Sequence, residues 1–211
     1  MQKKYMQQGL LISFEGIDGS GKSTLASSCM QELTKLGYDS ILTKEPGGTD
    51  FGKNLRSILQ QRSHEISPKA EFLLFAADRA QHVAQLVTPA LKSGKIVISD
   101  RMSDSALAYQ GYGRGLDKDM IITVNKWAMN GLEPDLIIYL KIDYKTAFAR
   151  TIKRNEALTD FEKEKSDFFE KVIHGFDIIF KDKNNVVTLD ATKTQEELLK
   201  EALEIIIQKL A

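Results

Sequence analysis

Residues Phe14 to Thr24 read FEGIDGSGKST, which places three glycines ahead of a lysine and two hydroxyl side chains. Gly16, Gly21, Lys22 and Ser23 fit the pattern G-x-x-x-x-G-K-[ST], whose use is to hold phosphate. After a strand, the chain must curl so that successive backbone N–H groups point inward. That curl needs positive φ and no Cβ atoms in the path of an anion, and glycine supplies both. Lys22 and Ser23 then open a helix whose first N–H groups are unpaired and carry partial positive charge. Gly16, Ile17, Asp18, Gly19, Ser20, Gly21, Lys22, Ser23 and Thr24 thus form a candidate cradle for a nucleoside triphosphate. Its Lys22 ammonium would lie on the β and γ phosphates and its Ser23 hydroxyl on Mg²⁺. A chain of this length and average composition matches the pattern by chance on the order of 0.01 times. Asp18 is out of place there, because phosphates repel a carboxylate unless another group needs it.

A cradle of this kind requires a strand before it and a helix after it. LLISFE (10–15) supplies the strand, and Leu25, Cys29, Leu33 and Leu36 recur at helical spacing with Gly37 placed to end the helix. Four more β-rich runs follow at SILTK (40–44), KIVISD (95–100), DLIIYLKI (135–142) and NVVTLD (185–190), with helical patterns between them. The alternation, with several runs apolar throughout, predicts an α/β fold whose parallel sheet is buried on both faces. Ser67-Pro68 pairs an N-cap with a first-turn proline for a long helix running toward Pro89. Thr194 and Glu197 make a capping box for the last helix, whose apolar stripe is Leu198, Ala202, Ile206 and Leu210. Asp100 stands at the carboxyl end of a strand, where parallel sheets present groups to ligands, and is a candidate to orient Mg²⁺ through water. The segment RTIKRNEALTDFEKEKSDFFEK (150–171) is highly charged with little apolar periodicity. It reads as a solvated helix pair or as a mobile lid.

The 211 residues suit one domain, spanning 1–211, with a sizeable core. Lys plus Arg equals Asp plus Glu at 29 each, so no global field recruits nucleic acid or membrane. The single Cys29 excludes an intramolecular disulfide and a multi-cysteine metal site, and fits a reduced, cytoplasmic setting. MQKKYMQQGL carries charge but no apolar signal core, and no apolar run reaches membrane-spanning length, so the expectation is a soluble protein.

A phosphate cradle alone leaves kinases, GTPases, motor ATPases and nucleotide sensors open. A GTPase needs an Asn-Lys-x-Asp guanine reader, and the nearest match, NKWA from Asn125, lacks the aspartate. Three further stretches, EPGGTDFGKNLR (45–56), FAADRAQHV (75–83) and DRMSDSALAYQGYGRGL (100–116), resemble bacterial thymidylate kinase. The resemblance runs from about residue 10 to the C-terminus. It implies a P-loop NTPase three-layer sandwich, with a five-stranded parallel sheet flanked by helices and a short lid at about 150–165. It also implies ATP-dependent phosphorylation of dTMP to dTDP with Mg²⁺, usually by a homodimer.

On that resemblance Arg101 and Arg56 grip the acceptor phosphate. The acceptor is already anionic, so the obstacle to transfer is repulsion between two anions, and planar guanidinium forks suit its relief. Glu45 and Pro46 border the acceptor site, Phe75 stacks on thymine and Arg79 donates to a carbonyl of the base. Tyr109 and Gln110 line the sugar and the far edge of the base, and Asp18 faces the acceptor's sugar and phosphate. Read alone, these residues are plainer: Glu45-Pro46-Gly47-Gly48 is a turn, Phe75, Arg79 and His82 are one helical stripe, and the arginines are surface ion pairs. Two positions depart from the family pattern: Ala106 stands where a base-contacting hydroxyl or amide is common, and Met102 replaces an aromatic or histidine. The cradle also lacks a basic residue at its variable positions. Arg154 and Arg150 of the lid are the candidates to supply that cation, with Arg154 the better placed. Two rivals stay open, a kinase for another nucleotide or nucleoside and a nucleotide-binding regulator without catalysis.

Overall fold

The structure, a computed structural model, describes residues 9–60, 64–154 and 157–210. Residues 1–8, which carry most of the amino-terminal stretch read above, and residues 155–156 of the expected lid lie outside the described residues. Five strands, β1 (Leu10–Glu15), β2 (Ser40–Lys44), β3 (Ile96–Asp100), β4 (Leu136–Lys141) and β5 (Val186–Asp190), form one parallel sheet in the order β2-β3-β1-β4-β5. Each lies within one residue of the range its composition predicts. β1 is central and buried along its whole length. In register, Phe14 of β1 and Lys44 of β2 both pair with Asp100 of β3. The carboxyl ends of three strands are therefore level, and the turns that leave them share one rim.

Among the described residues, nine α-helices accompany the sheet: α1 (Lys22–Lys35), α2 (Asp50–Gln60), α3 (Pro68–His82), α4 (Thr88–Lys92), α5 (Ser103–Ala106), α6 (Lys118–Ala128), α7 (Tyr144–Lys153), α8 (Ser166–Phe180) and α9 (Gln195–Leu210). Side chains alternate across a strand, so β1 feeds two cores. Leu10, Ile12 and Phe14 pack with Leu25, Cys29 and Leu33 of α1 and Leu198, Ala202 and Ile206 of α9. Leu11 faces the other way, toward Val83, Val87, Val97, Met102 and Met129. Met102, which departs from the family pattern, is fully buried in that second core.

The caps follow the sequence. Ser67 accepts from the Ala70 N–H with Pro68 at the helix start, and Thr194 and Glu197 bond each other's backbone N–H reciprocally. After α1, Gly37 takes φ 89°, and Tyr38 N–H reaches back to the Leu33 carbonyl at 3.0 Å, so unpaired helix-end carbonyls are satisfied. Leu36 is exposed, which narrows the apolar stripe of α1 to Leu25, Cys29 and Leu33. The long helix does not stop before Pro89. It widens into a π turn at Val83–Val87, where Thr88 N–H bonds the Val83 carbonyl five residues back, and continues through the proline into α4. The wider turn absorbs the bond that a proline nitrogen cannot make. A second π turn, Leu107–Gly113, follows α5 and carries Tyr109 and Gln110. Among the described residues no helix is long and apolar enough to cross a membrane.

Candidate active site

The cradle leaves β1 with Gly16, Gly19 and Gly21 at φ 145°, 83° and 92°. A Cβ at Gly19 would stand 2.2 Å from the Ala147 carbonyl oxygen of α7, so that position admits nothing larger. Lys22 is buried, with Nζ 3.1 Å from Asp18 Oδ1 and 3.4 Å from the Ile17 carbonyl. Ser23 Oγ donates to Asp100 Oδ2 at 2.5 Å, while Asp100 Oδ1 is buried and without a partner among the described residues. A hydroxyl beside a half-satisfied carboxylate is a hard-oxygen donor set that suits Mg²⁺. Among the described residues no group of three or more His, Cys, Asp or Glu is placed to hold a metal ion. A magnesium ion here would complete its shell with water and phosphate oxygens, as is usual for that ion.

Arg101 follows β3 with φ 74°, a left-handed backbone that non-glycine residues adopt rarely and that clusters at functional sites. The turn sends its side chain back over the cradle. Nη1 donates to the Gly16 carbonyl (2.7 Å) and Ser105 Oγ (3.0 Å), and Nη2 to Asp18 Oδ1 (2.7 Å) and the Tyr109 hydroxyl (3.2 Å). Asp18 is thereby clasped between Lys22 and Arg101. Burial alone would raise its pKa, but those two cations hold the carboxyl well below the ordinary range. The carboxylate that looked misplaced in the cradle is bonded to two cations, Lys22 and Arg101, at its mouth.

Beside the cradle opens a cavity of about 320 Å³, and the residues assigned to the acceptor gather around it: Glu45, Pro46, Arg56, Phe75, Arg79, Arg101, Tyr109 and Gln110 all line it, with Ala106. Arg56 Nη1 donates to the Pro46 carbonyl at 3.0 Å. Arg79 is almost wholly buried; Nε donates to Glu45 Oε2 (2.8 Å), Nη1 to Asn125 Oδ1 (2.7 Å) and Nη2 to the Met102 carbonyl (3.4 Å). Glu45 also accepts from His82 Nδ1 at 2.9 Å. Burial would raise Glu45, yet Arg79 and His82 hold it below its ordinary value. Glu45 therefore braces Arg79 and His82 beneath the cavity wall. Tyr109 has two faces: its hydroxyl meets Arg101, and its ring packs edge-on against Phe161, Phe168 and Phe176.

A second cavity of about 570 Å³ lies on the other side of the cradle, lined by Gly19 to Thr24, Thr192 to Gln195 and Arg150. Arg150 belongs to α7, donates to the Ala191 carbonyl at 2.8 Å and does not reach the first cavity. Arg154, at the end of α7, lines both cavities and pairs with Glu162. Within the charged segment α7 ends at Lys153 and α8 begins at Ser166, and the described residues between them include one that joins the core. Between α7 and α8, Thr159 and Glu162 cap a turn, and Phe161 is buried 5.8 Å from the Phe75 ring and 6.3 Å from that of Tyr109.

Sequence reasoning missed Phe161, whose signal was a single aromatic at the start of a charged run, and Lys44 and Ser105, which also line the acceptor cavity. It missed Glu15 as well. That carboxyl is fully buried, accepting from Met102 N–H (2.7 Å) and Ser105 Oγ (2.5 Å), and burial together with Asp104 pushes it up to about 8. A glutamate in a strand with no exposed position was the available sign.

A parallel sheet with a phosphate cradle on its rim, and two cavities meeting over Lys22 and Arg154, defines a P-loop phosphotransferase. The thymidylate kinase family model matches residues 14–202, and the chain belongs to that family. It is 44% identical over 196 residues to the thymidylate kinase of Halothermothrix orenii, covering 92% of this chain and 94% of that one. It is 41% identical over 204 residues to the thymidylate kinase of an Exiguobacterium species, with 96% of each covered. The crystal structure of thymidylate kinase from Ehrlichia chaffeensis superposes with a TM-score of 0.76 at 29% identity, covering 94% of this chain and 99% of that chain.

Proposed function

We propose that the chain transfers a phosphoryl group from ATP to dTMP, giving dTDP, with ATP in the larger cavity and dTMP in the smaller. The observation that carries this reading is the overlap of the two cavities at Asp18, Lys22, Ser23 and Arg154. A donor phosphate on the cradle and an acceptor phosphate beside Arg56 and Arg101 would meet at that overlap. No strong general base is needed, since the acceptor oxygen is already an anion; the task is to place cations between two anions. Lys22 and Arg154 face the transferring group from cradle and lid, while Arg101 and Arg56 hold the acceptor. Ser23 and Asp100 would hold Mg²⁺, which when bound neutralises charge across the β and γ phosphates. Phe75 offers a flat face to thymine, and Phe161 covers it from the lid and excludes water.

The assembly proposed is a homodimer. α3 packs against both α2 and α6, and Phe51, Ile58, Leu73, Met120 and Trp127 of these three helices are exposed, Trp127 at 78%. Large exposed apolar residues on neighbouring helices support a protein–protein contact, and a second copy is the partner proposed. A single domain spanning the chain is supported by one sheet carrying both cavities, and the cytoplasm by a lone, buried cysteine. Incubation with ATP, dTMP and Mg²⁺ followed by direct detection of dTDP tests the reaction. ATP binding without dTDP would instead make the protein a nucleotide-binding regulator.

A further inference from the structure

Gln110 lines the acceptor cavity but is bonded from behind it. The residue is 1% exposed, and Nε2 donates to Glu71 Oε1 at 2.8 Å. Glu71 sits in the first turn of α3, fully buried and outside the cavity lining. Arg114 holds it with two N–H groups, Nε to Oε1 (3.3 Å) and Nη2 to Oε2 (3.2 Å). The same Nη2 lies 2.6 Å from Glu164 of the lid, and the guanidinium rests 4.6 Å from the centre of the Phe168 ring. The second π turn and its end thus bond the Glu71 carboxylate twice over, and the lid and α8 hold the arginine that does so.

An ionised carboxylate can only accept, so the amide of Gln110 has to turn its NH₂ toward Glu71. Its Oε1 then points away from Glu71, on a residue that lines the acceptor cavity. An amide can read either sense of a hydrogen bond, and what stands behind it decides which end is offered. We propose that Glu71, clamped by Arg114, is a positioning residue for base choice: it locks Gln110 so that a carbonyl oxygen faces the acceptor's base. That oxygen accepts from a pyrimidine with an N–H at ring position 3, as in thymine and uracil, and rejects cytosine, which has a lone pair there. The inference rests on the reading of this cavity as the dTMP site and goes beyond it by naming the group that sets the sense of recognition.

The test measures specificity constants for dTMP, dUMP and dCMP with the wild type and with Glu71→Gln, alongside melting temperatures. A glutamine at 71 can donate or accept, so Gln110 loses its fixed sense. The expected result is a preference for dTMP over dCMP that shrinks by about tenfold, the worth of one matched hydrogen bond in a buried site. The preference for dTMP over dUMP should stay within about twofold, because both bases carry the N–H that Gln110 reads. General damage to the fold would lower all three alike. An unchanged ratio of dTMP to dCMP overturns the proposal. Should the variant fail to fold, a neutron crystal structure of the wild type with dTMP, which locates the amide hydrogens, decides. Nε2 on Glu71 with Oε1 at the base N–H supports the proposal, and Nε2 turned to the base overturns it. A wild type that phosphorylates dCMP in preference to dTMP would overturn the dTMP assignment itself, a result distinct from loss of the lock.

Discussion

The cavity proposed for the donor is lined by the glycine-rich Gly19 to Thr24 stretch, whose backbone N–H groups would meet phosphate, whereas the cavity proposed for the acceptor is walled by side chains already bonded to one another. Glu45 braces Arg79, Asp18 clasps Arg101 and Lys22, and Glu71 braces Gln110. The donor phosphates are common to every nucleoside triphosphate, and backbone geometry is enough to hold them. The acceptor must be told from close chemical relatives. Recognition of that kind requires particular side chains fixed in particular orientations, and each of these is held by a partner.

The comparison can be broken most severely at Tyr109. Tyr109→Ala should lower stability by about 3–5 kcal/mol, since the ring packs among three phenylalanines and its removal leaves a cavity. If the ring also excludes a 2′-hydroxyl, the same variant should raise the ratio of activity on the ribose analogue to that on dTMP. Melting temperature and the two specificity constants separate these roles, and an unchanged ratio leaves Tyr109 as core alone. Lys22→Ala should reduce turnover by about 10²–10³, the usual loss for one group that stabilises transition-state charge, in a protein that circular dichroism shows folded. Turnover near the parent's would remove Lys22 from the mechanism.

Arg101→Ala and Arg56→Ala should weaken dTMP by roughly 1.5–3 kcal/mol each, the range for a charge-assisted hydrogen bond, with little effect on ATP. Arg101 should cost more because its loss leaves Asp18 with Lys22 alone. Separate titrations of each nucleotide check this, and a selective loss of ATP affinity contradicts it. On the lid, Arg154→Ala should cut turnover roughly tenfold, one charge-assisted bond, and Arg150→Ala by less. Arg154 touches both cavities and Arg150 only one. The opposite order in steady-state rates would move the catalytic cation to the donor side.

The last prediction concerns Glu15 beneath the acceptor wall and is read in stability, not in activity. Its folded value of about 8 lies above the ordinary 4.5, so folding favours its protonated form. Its contribution to stability is complete below pH 4.5, declines as pH rises and is lost above about 8. Glu15→Gln should flatten the fall in stability between pH 5 and 8 in denaturant titrations. Parallel pH profiles for parent and variant would show that Glu15 is ionised in the folded protein.

The same contrast explains what the sequence could tell. Strand ranges, caps and the cradle were legible because each is local: Gly16 to Ser23 and Thr194 to Glu197 declare their geometry within a few residues. The π turns were not legible, because Tyr109 and Gln110 sit in a widened helix that ordinary periodicity cannot mark. The acceptor wall is drawn from β2, α2, α3, the turn after β3 and the lid, so its members were identified through family resemblance and not through spacing. Their partners escaped both routes. Nothing near Glu71 in sequence points to Gln110 or Arg114, some 40 residues away, and Glu15 is read as part of a strand until the fold buries it.

The most direct measurement is a coupled ADP-release assay with ATP and Mg²⁺ across dTMP, dUMP, UMP, dCMP and thymidine. The two-cavity account predicts ADP production that depends on the acceptor, with the highest specificity constant for dTMP and none above background for thymidine, which lacks the phosphate that Arg56 and Arg101 grip. Equal rates for thymidine and dTMP, or no acceptor-dependent ADP from a protein that binds ATP, would contradict it.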